Sequence, residues 1–346
     1  MPIRLLPPSR RAVLRWALLG GLALTGSVAV TALLGVAGSR DAMAAGRGPS
    51  RVRLDYAAYN PVSLVLKERG ILEQALKKQN IQVEWVLSQG SNKALEYLAA
   101  RRIDFGSTAG AAAFVGRANG APIKAIYVYS KPEWTALVVR NDSKLRTVRD
   151  LKGRRVAANR GTDPYIFLLR TLDRNGLAPR DVTIVQLSHA DGKTALERGS
   201  VDAWAGLDPL MAKAEVDSKA RLLYRNPDFN TYGILNVRDQ FARENPATVQ
   251  TVLRAYEQAR LWALKNPQEL RKVLMREAQL SDAVAARQLQ RTDLRHNSIG
   301  APEKASILAA GDVLRKSGVI PASTDAKQVL KDLIDTRYTT KLSGGR

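Results

Sequence analysis

The chain has 346 residues, 45% apolar and 25% charged, the balance of a globular protein with room for a large core and about two domains. It has no cysteine, which excludes disulfides, thiolate catalysis and Cys-ligated zinc together. The formal net charge is +22, which favours anionic partners, but the Lys and Arg residues are spread along the chain rather than gathered in an arm, so nucleic acid is not an expected partner.

Residues 1–44 read as an export signal. The run Ser9-Arg10-Arg11-Ala12-Val13-Leu14-Arg15 precedes an apolar stretch over 16–39, which closes on Ala42-Met43-Ala44, a small-x-small cleavage pattern. The arginine pair is similar to a twin-arginine signal; an ordinary secretory signal and a retained anchor are the other readings. Cleavage leaves a water-soluble, monomeric, periplasmic protein of net charge about +18.

The mature chain then alternates strand and helix. Strands are expected over 51–56, 82–87, 103–106, 122–129 and 135–140, with helices over 62–79 (broken at Gly70), 92–101 and 109–118. The grammar restarts with strands over 154–158, 182–187 and 201–204 and helices over 163–175 and 192–198. Beyond Pro246 the pattern is helical, over 247–265, 267–278, 281–289 and 304–316. Such alternation predicts an α/β protein with parallel or mixed sheets covered on both faces. An internal echo, Ala94-Leu95-Glu96 leading to Ile103-Asp104 and Ala195-Leu196-Glu197 leading to Val201-Asp202, suits two lobes built to one plan. The expected division is 45–134 plus 241–346 for the first lobe and 135–240 for the second. Lobes of this kind hold a ligand in the crevice at the carboxyl ends of their strands.

Catalytic patterns are weak. His189 and His296 are the only histidines, and no nucleophile elbow, His-Glu-x-x-His, P-loop or dinucleotide fingerprint is present. Ser188, His189 and Asp191 offer a triad in composition, yet chain neighbours rarely adopt triad geometry. Four strand-to-helix junctions carry small polar residues instead: Ala58-Tyr59-Asn60-Pro61, Ser88-Gln89-Gly90-Ser91-Asn92, Gly106-Ser107-Thr108-Ala109-Gly110 and Asn159-Arg160-Gly161-Thr162-Asp163-Pro164. Each places N–H groups and side-chain polar groups at a helix N-terminus, where an anion is favoured, and each also reads as a simple cap and turn. Trp204 with Asp208-Pro209 forms a fifth element, either core or the wall of a ligand site.

These segments resemble the periplasmic binding proteins of the sulfonate, nitrate and taurine group of ABC importers, most closely the aliphatic sulfonate-binding proteins. The carriers are Gly70-Ile71-Leu72-Glu73, Ile103-Asp104-Phe105-Gly106-Ser107-Thr108, Thr147-Val148-Arg149-Asp150-Leu151-Lys152-Gly153-Arg154-Arg155-Val156-Ala157, and Gly199-Ser200-Val201-Asp202-Ala203-Trp204-Ala205 with Asp208-Pro209. The resemblance implies a two-lobed, type II-like binding protein with its ligand cleft between the lobes, no catalysis, no cofactor or metal, a sulfonate-like small anion as ligand and an ABC permease as partner. The ligand-binding positions it implies are Asn60, Gln89, Gly90, Ser107, Thr108, Gly161, Thr162, Trp204 and Asp208. Asp163 joins them, as a cap of its own helix or as the partner of an amine. Taurine, nitrate, an aromatic acid and a thiamine-precursor pyrimidine are the alternative ligands, and an enzyme on the same fold is the alternative class. The chain departs from the group at Ala109-Gly110, where Gly-Asp is common, and at Leu207-Asp208-Pro209, where Trp-Asp-Pro is usual.

Overall fold

The computed structural model describes residues 48–343, so the expected export signal and cleavage site lie outside the described residues. The chain runs β1 (Arg51–Tyr56), α1 (Pro61–Glu68), α2 (Ile71–Leu76), β2 (Gln82–Leu87), α3 (Ser91–Ala99), β3 (Phe105–Ala109), α4 (Gly110–Ala118) and β4 (Ile123–Pro132). It crosses to β5 (Leu137–Val139), β6 (Arg155–Ala158), α5 (Asp163–Arg174), β7 (Thr183–Gln186), α6 (His189–Glu197), β8 (Ala203–Ala205), α7 (Leu210–Asp217) and β9 (Arg221–Tyr224). It then returns to β10 (Gly233–Arg238), and continues through α8 (Asp239–Glu244), α9 (Pro246–Lys265), α10 (Pro267–Glu277), α11 (Asp282–Leu289) and β11 (Thr292–Asp293). The tail is α12 (Ala301–Leu308), α13 (Gly311–Lys316), α14 (Ala326–Leu333) and α15 (Arg337–Ser343).

Two mixed sheets result, ordered β11-β4-β10-β3-β1-β2 and β7-β6-β8-β5-β9. The central strand β3 is buried along its whole length and made of small residues after Phe105. A side chain at Gly106 would collide with Leu98 of α3, which lies directly on the strand. The expected lobe boundary at 240 moves back, because β10 lies in the first sheet, pairing antiparallel with both β3 and β4. Ile234, Leu235 and Val237 are buried there, and Asn236 between them donates to Gly106 O and Thr108 Oγ1 of β3. The helical tail is not confined to the first lobe either. α11 packs on α7, and α13 packs on α5. The helix expected over 304–316 is two helices, α12 and α13, and β9 and β10 were not anticipated.

The internal echo is structural. Asp104 N donates to Arg53 O at 2.7 Å while the Asp104 carboxylate accepts Arg53 N at 2.9 Å. In the second lobe Asp202 N donates to Arg155 O at 2.8 Å and its carboxylate accepts Arg155 N at 2.8 Å. In both lobes an aspartate entering a short strand clasps its parallel neighbour, β1 or β6. The helix before it ends alike as well: Arg102 N and Ile103 N both reach Tyr97 O, as Ser200 N and Val201 N both reach Ala195 O. This repeated geometry makes the turns before α3 and α6 counterparts of one another.

Candidate functional site

The crossings between the lobes run side by side and are fastened together. Thr135 N donates to Asn230 Oδ1 at 2.9 Å, and Arg225 makes a bidentate pair with Glu133 at 2.7 Å on both arms. Asp163, fully buried in the first turn of α5, joins both crossings to the second lobe. Its carboxylate accepts Trp134 Nε1 at 2.9 Å, Thr231 N at 2.9 Å and Thr231 Oγ1 at 2.8 Å. Burial pushes this carboxyl up from its ordinary range, and the donors from Trp134 and Thr231 pull it back. Asp163 is not the cap of α5, a position held by Thr162, and its carboxylate already accepts from both Trp134 and Thr231.

Within the first lobe Asn60, Ser107 and Thr108 are buried and hydrogen-bonded. Asn60 caps α1 by accepting Ser63 N, with Pro61 opening the helix, and its Nδ2 donates to Ser107 Oγ at 2.8 Å. Ser107 N and Oγ both donate to Asp55, a wholly buried carboxyl that burial pushes up to about 6 despite these donors. Thr108 Oγ1 accepts Asn236 Nδ2 at 2.8 Å. Ser107 and Thr108 are both wholly buried.

The lobes meet at two glycines. A Cβ on Gly161 would lie 3.3 Å from Asn92 Cβ, and a Cβ on Gly90 would lie 2.8 Å from Asn92 Oδ1 and 3.2 Å from His189 Nε2. Gly161 also has φ +75, a left-handed turn that glycine adopts without strain. The N-termini of α3 in the first lobe and of α5 and α6 in the second therefore converge on one seam. First-turn N–H groups have no acceptor along their own helix, so the seam carries partial positive charge from both sides. Thr162 Oγ1 donates to Asn159 O at 2.5 Å, so its hydroxyl proton is committed to its own turn.

Gln89, beside Gly90, is exposed. Two predicted residues lie elsewhere. Trp204 is 1% exposed in the core of the second lobe with Leu196, Val201 and Met211, its indole against Gly192 of α6. Alternation along β8 decides this: the face carrying Trp204 packs with Leu196 of α6 and Met211 of α7. Asp208 is consumed by a bidentate pair with Arg291 (2.6 and 2.8 Å) and accepts Ala212 N at 2.9 Å. Burial pushes its carboxyl up, and Arg291 holds it back. Ser188 and Asp191 close on each other (Oγ to Oδ2, 2.7 Å) and leave the imidazole aside, so no triad forms.

Sequence reasoning passed over Trp134, Asn236 and Arg291, named Asn92 only as part of a junction, and weighed His189 only as a triad member. Several buried polar atoms near the seam and behind it, among them Ser88 Oγ, Asn92 Oδ1, both His189 nitrogens and Asn236 Oδ1, have no hydrogen-bond partner within the chain. Among the described residues no helix is long and apolar enough to cross a membrane, and no group of three or more His, Asp or Glu residues is placed to hold a metal ion.

Two mixed-sheet lobes joined by paired crossings, with helix N-termini facing each other across the seam, define the periplasmic binding-protein fold, which solved structures share. The chain belongs to the NMT1/THI5 like family, whose model matches residues 76–270, and groups there with proteins named for binding aliphatic sulfonates. One, from Escherichia coli K12, is 32% identical over 234 residues, spanning 67% of this chain and 72% of that protein. Another, from Bacillus subtilis 168, is 28% identical over 238 residues, spanning 68% and 72%. The alkanesulfonate-binding protein SsuA from Xanthomonas axonopodis pv. citri, solved bound to MOPS, superposes with a TM-score of 0.76 at 27% identity, over 84% of this chain and 99% of that one. At 15% identity and a TM-score of 0.63, the desulfurization enzyme DszB shares the fold, which therefore carries enzymes as well as binding proteins.

Proposed function

We propose that this chain is the sulfonate-capturing component of an ABC import system, exported to the periplasm, which closes its two lobes on a small alkanesulfonate and delivers it unchanged to a membrane permease. The observation that carries the reading is the convergence of α3 from one lobe with α5 and α6 from the other at Gly90, Gly161 and His189. A tetrahedral anionic head suits such a seam, because it accepts N–H donors from several directions at once and needs no compensating side-chain cation. Glycine at both contact points lets the two backbones approach, so closure brings both sets of donors to one head. The relatives' names and the MOPS-bound neighbour support a sulfonate over other anions. An E. coli neighbour called periplasmic supports export.

The absence of turnover rests on the site's chemistry. The seam offers backbone donors and one neutral imidazole, and Ser188 is paired with Asp191 rather than with that imidazole. A thermal-shift screen tests the assignment. Ligand at a hundredfold excess over Kd stabilises the folded form by about 2.7 kcal/mol, so ethane- to hexanesulfonates should raise Tm by several degrees and be recovered unchanged. Shifts with carboxylates or uncharged heterocycles and with no sulfonate would refute the ligand class.

A further inference from the structure

His189 opens α6 and is 4% exposed, yet neither ring nitrogen has a hydrogen-bond partner within the chain. Its Nε2 lies against Gly90 across the seam, and Asn92 Oδ1, also without a partner, lies against the same glycine from the first lobe. Both atoms are within 3.2 Å of a single point, the position a Gly90 Cβ would take, which places them within about 6 Å of each other. Burial of two unsatisfied polar groups this close is unfavourable unless something bonds to both.

Resting on the cleft assignment above, we propose that His189 and Asn92 form a second, uncharged recognition point, which selects a sulfonate bearing a hydroxyl on its carbon chain over the plain alkanesulfonate. The chemistry of the pair sets the choice. Asn92 Oδ1 is an acceptor and repels a sulfonate oxygen, so the group it meets must be a donor. A neutral imidazole supplies one donor and one acceptor. A hydroxyl, which donates once and accepts, satisfies both; a methylene satisfies neither. An ammonium meets no unpaired carboxylate at this point, since Asp163 accepts from Trp134 and Thr231 and Asp191 accepts from Ser188. Glycine at position 90 keeps both atoms uncovered, since a side chain there would lie against Asn92 Oδ1 and His189 Nε2.

The test is calorimetric titration of the full mature chain with ethanesulfonate, 2-hydroxyethanesulfonate and 2-aminoethanesulfonate, on wild type, His189→Leu, His189→Gln and Asn92→Val. Wild type should bind the hydroxy compound about tenfold or more tightly than ethanesulfonate. His189→Leu and Asn92→Val should each bring that ratio to about one, whatever they do to the affinity for ethanesulfonate itself, and His189→Gln should keep part of it. Asn92 is partly exposed, so its variant carries the test if His189→Leu misfolds. A wild-type ratio near one, a ratio unchanged in the variants, or tightest binding of the amino compound overturns the second recognition point while leaving the cleft in place. If no sulfonate binds wild type at all, the cleft assignment fails and this inference falls with it.

Discussion

Asp163→Asn is the substitution whose outcome the structure changes most. Read as a helix cap, Asp163 would tolerate asparagine almost silently, since asparagine caps as well. In the fold it is the acceptor for Trp134 Nε1, Thr231 N and Thr231 Oγ1, one donor set on each crossing between the lobes. Asparagine keeps one acceptor oxygen and turns an NH2 toward donors. The Trp134 and Thr231 N–H groups share Oδ2, so either that pair or the Thr231 hydroxyl loses its acceptor. Losing one or two hydrogen bonds to a charged group costs about 1.5–3 kcal/mol each, and relief of burying the charge returns part of this. A net loss of about 2–4 kcal/mol is expected, read as a lower urea midpoint with an unchanged m-value. Plain and amino-bearing sulfonates should weaken by the same factor, because the carboxylate touches neither. A midpoint within about 0.5 kcal/mol of wild type, or selective loss of the amino compound, would refute this account of Asp163.

Arg291→Met should cost about 3–5 kcal/mol, because Asp208 would remain buried without its partner; guanidinium denaturation reads it. Trp204→Ala should cost about 3–5 kcal/mol of stability and should not discriminate between long and short sulfonates, since the indole packs in the core of the second lobe. Asp55, raised to about 6, contributes stability that is present below pH 4 and lost as pH rises through 6; His189, lowered to about 4, contributes stability that is present above pH 6.5 and lost as pH falls through 4. Each amounts to about 3 kcal/mol and they oppose, so Asp55→Asn should leave stability rising from pH 4 to 6.5 and His189→Gln should leave it falling, as pH-resolved melting will show. Gly161→Ala should weaken sulfonate binding about tenfold or more in titration, through its positive φ and its approach to Asn92 on closure.

Much of the architecture was legible in the sequence because its signals are local. Alternation marked β1 and β2, and Pro and polar caps placed α1 and α5. The echo around Asp104 and Asp202 marked two lobes on one plan, since a strand-entry aspartate clasping a parallel neighbour is written in consecutive residues. The return to the first sheet was less legible. β10 is antiparallel and sits between β3 and β4, a placement settled by pairing over more than a hundred residues of chain. For the site, the junction residues were found but their roles were not. Gly90 and Gly161 were visible as turn formers, whereas their shared neighbour Asn92 is defined only when the lobes meet. Trp204 and Asp208 stayed open between two readings for the same reason: a strand-end tryptophan and a carboxylate before proline look alike whether they face a cleft, a core or a distant arginine. Arg291 lies 83 residues from Asp208, and no spacing rule connects them.

The central claim is that both lobes offer helix N-termini to one anionic head at the Gly90–Gly161 seam. Crystals of the mature chain grown with butanesulfonate, with the ligand sulfur located by anomalous scattering, test it most directly. The account predicts the sulfur at the seam, with sulfonate oxygens within hydrogen-bond distance of backbone N–H groups at the start of α3 and at the start of α5 or α6. A sulfur bound to one lobe only, or outside the seam altogether, would contradict it.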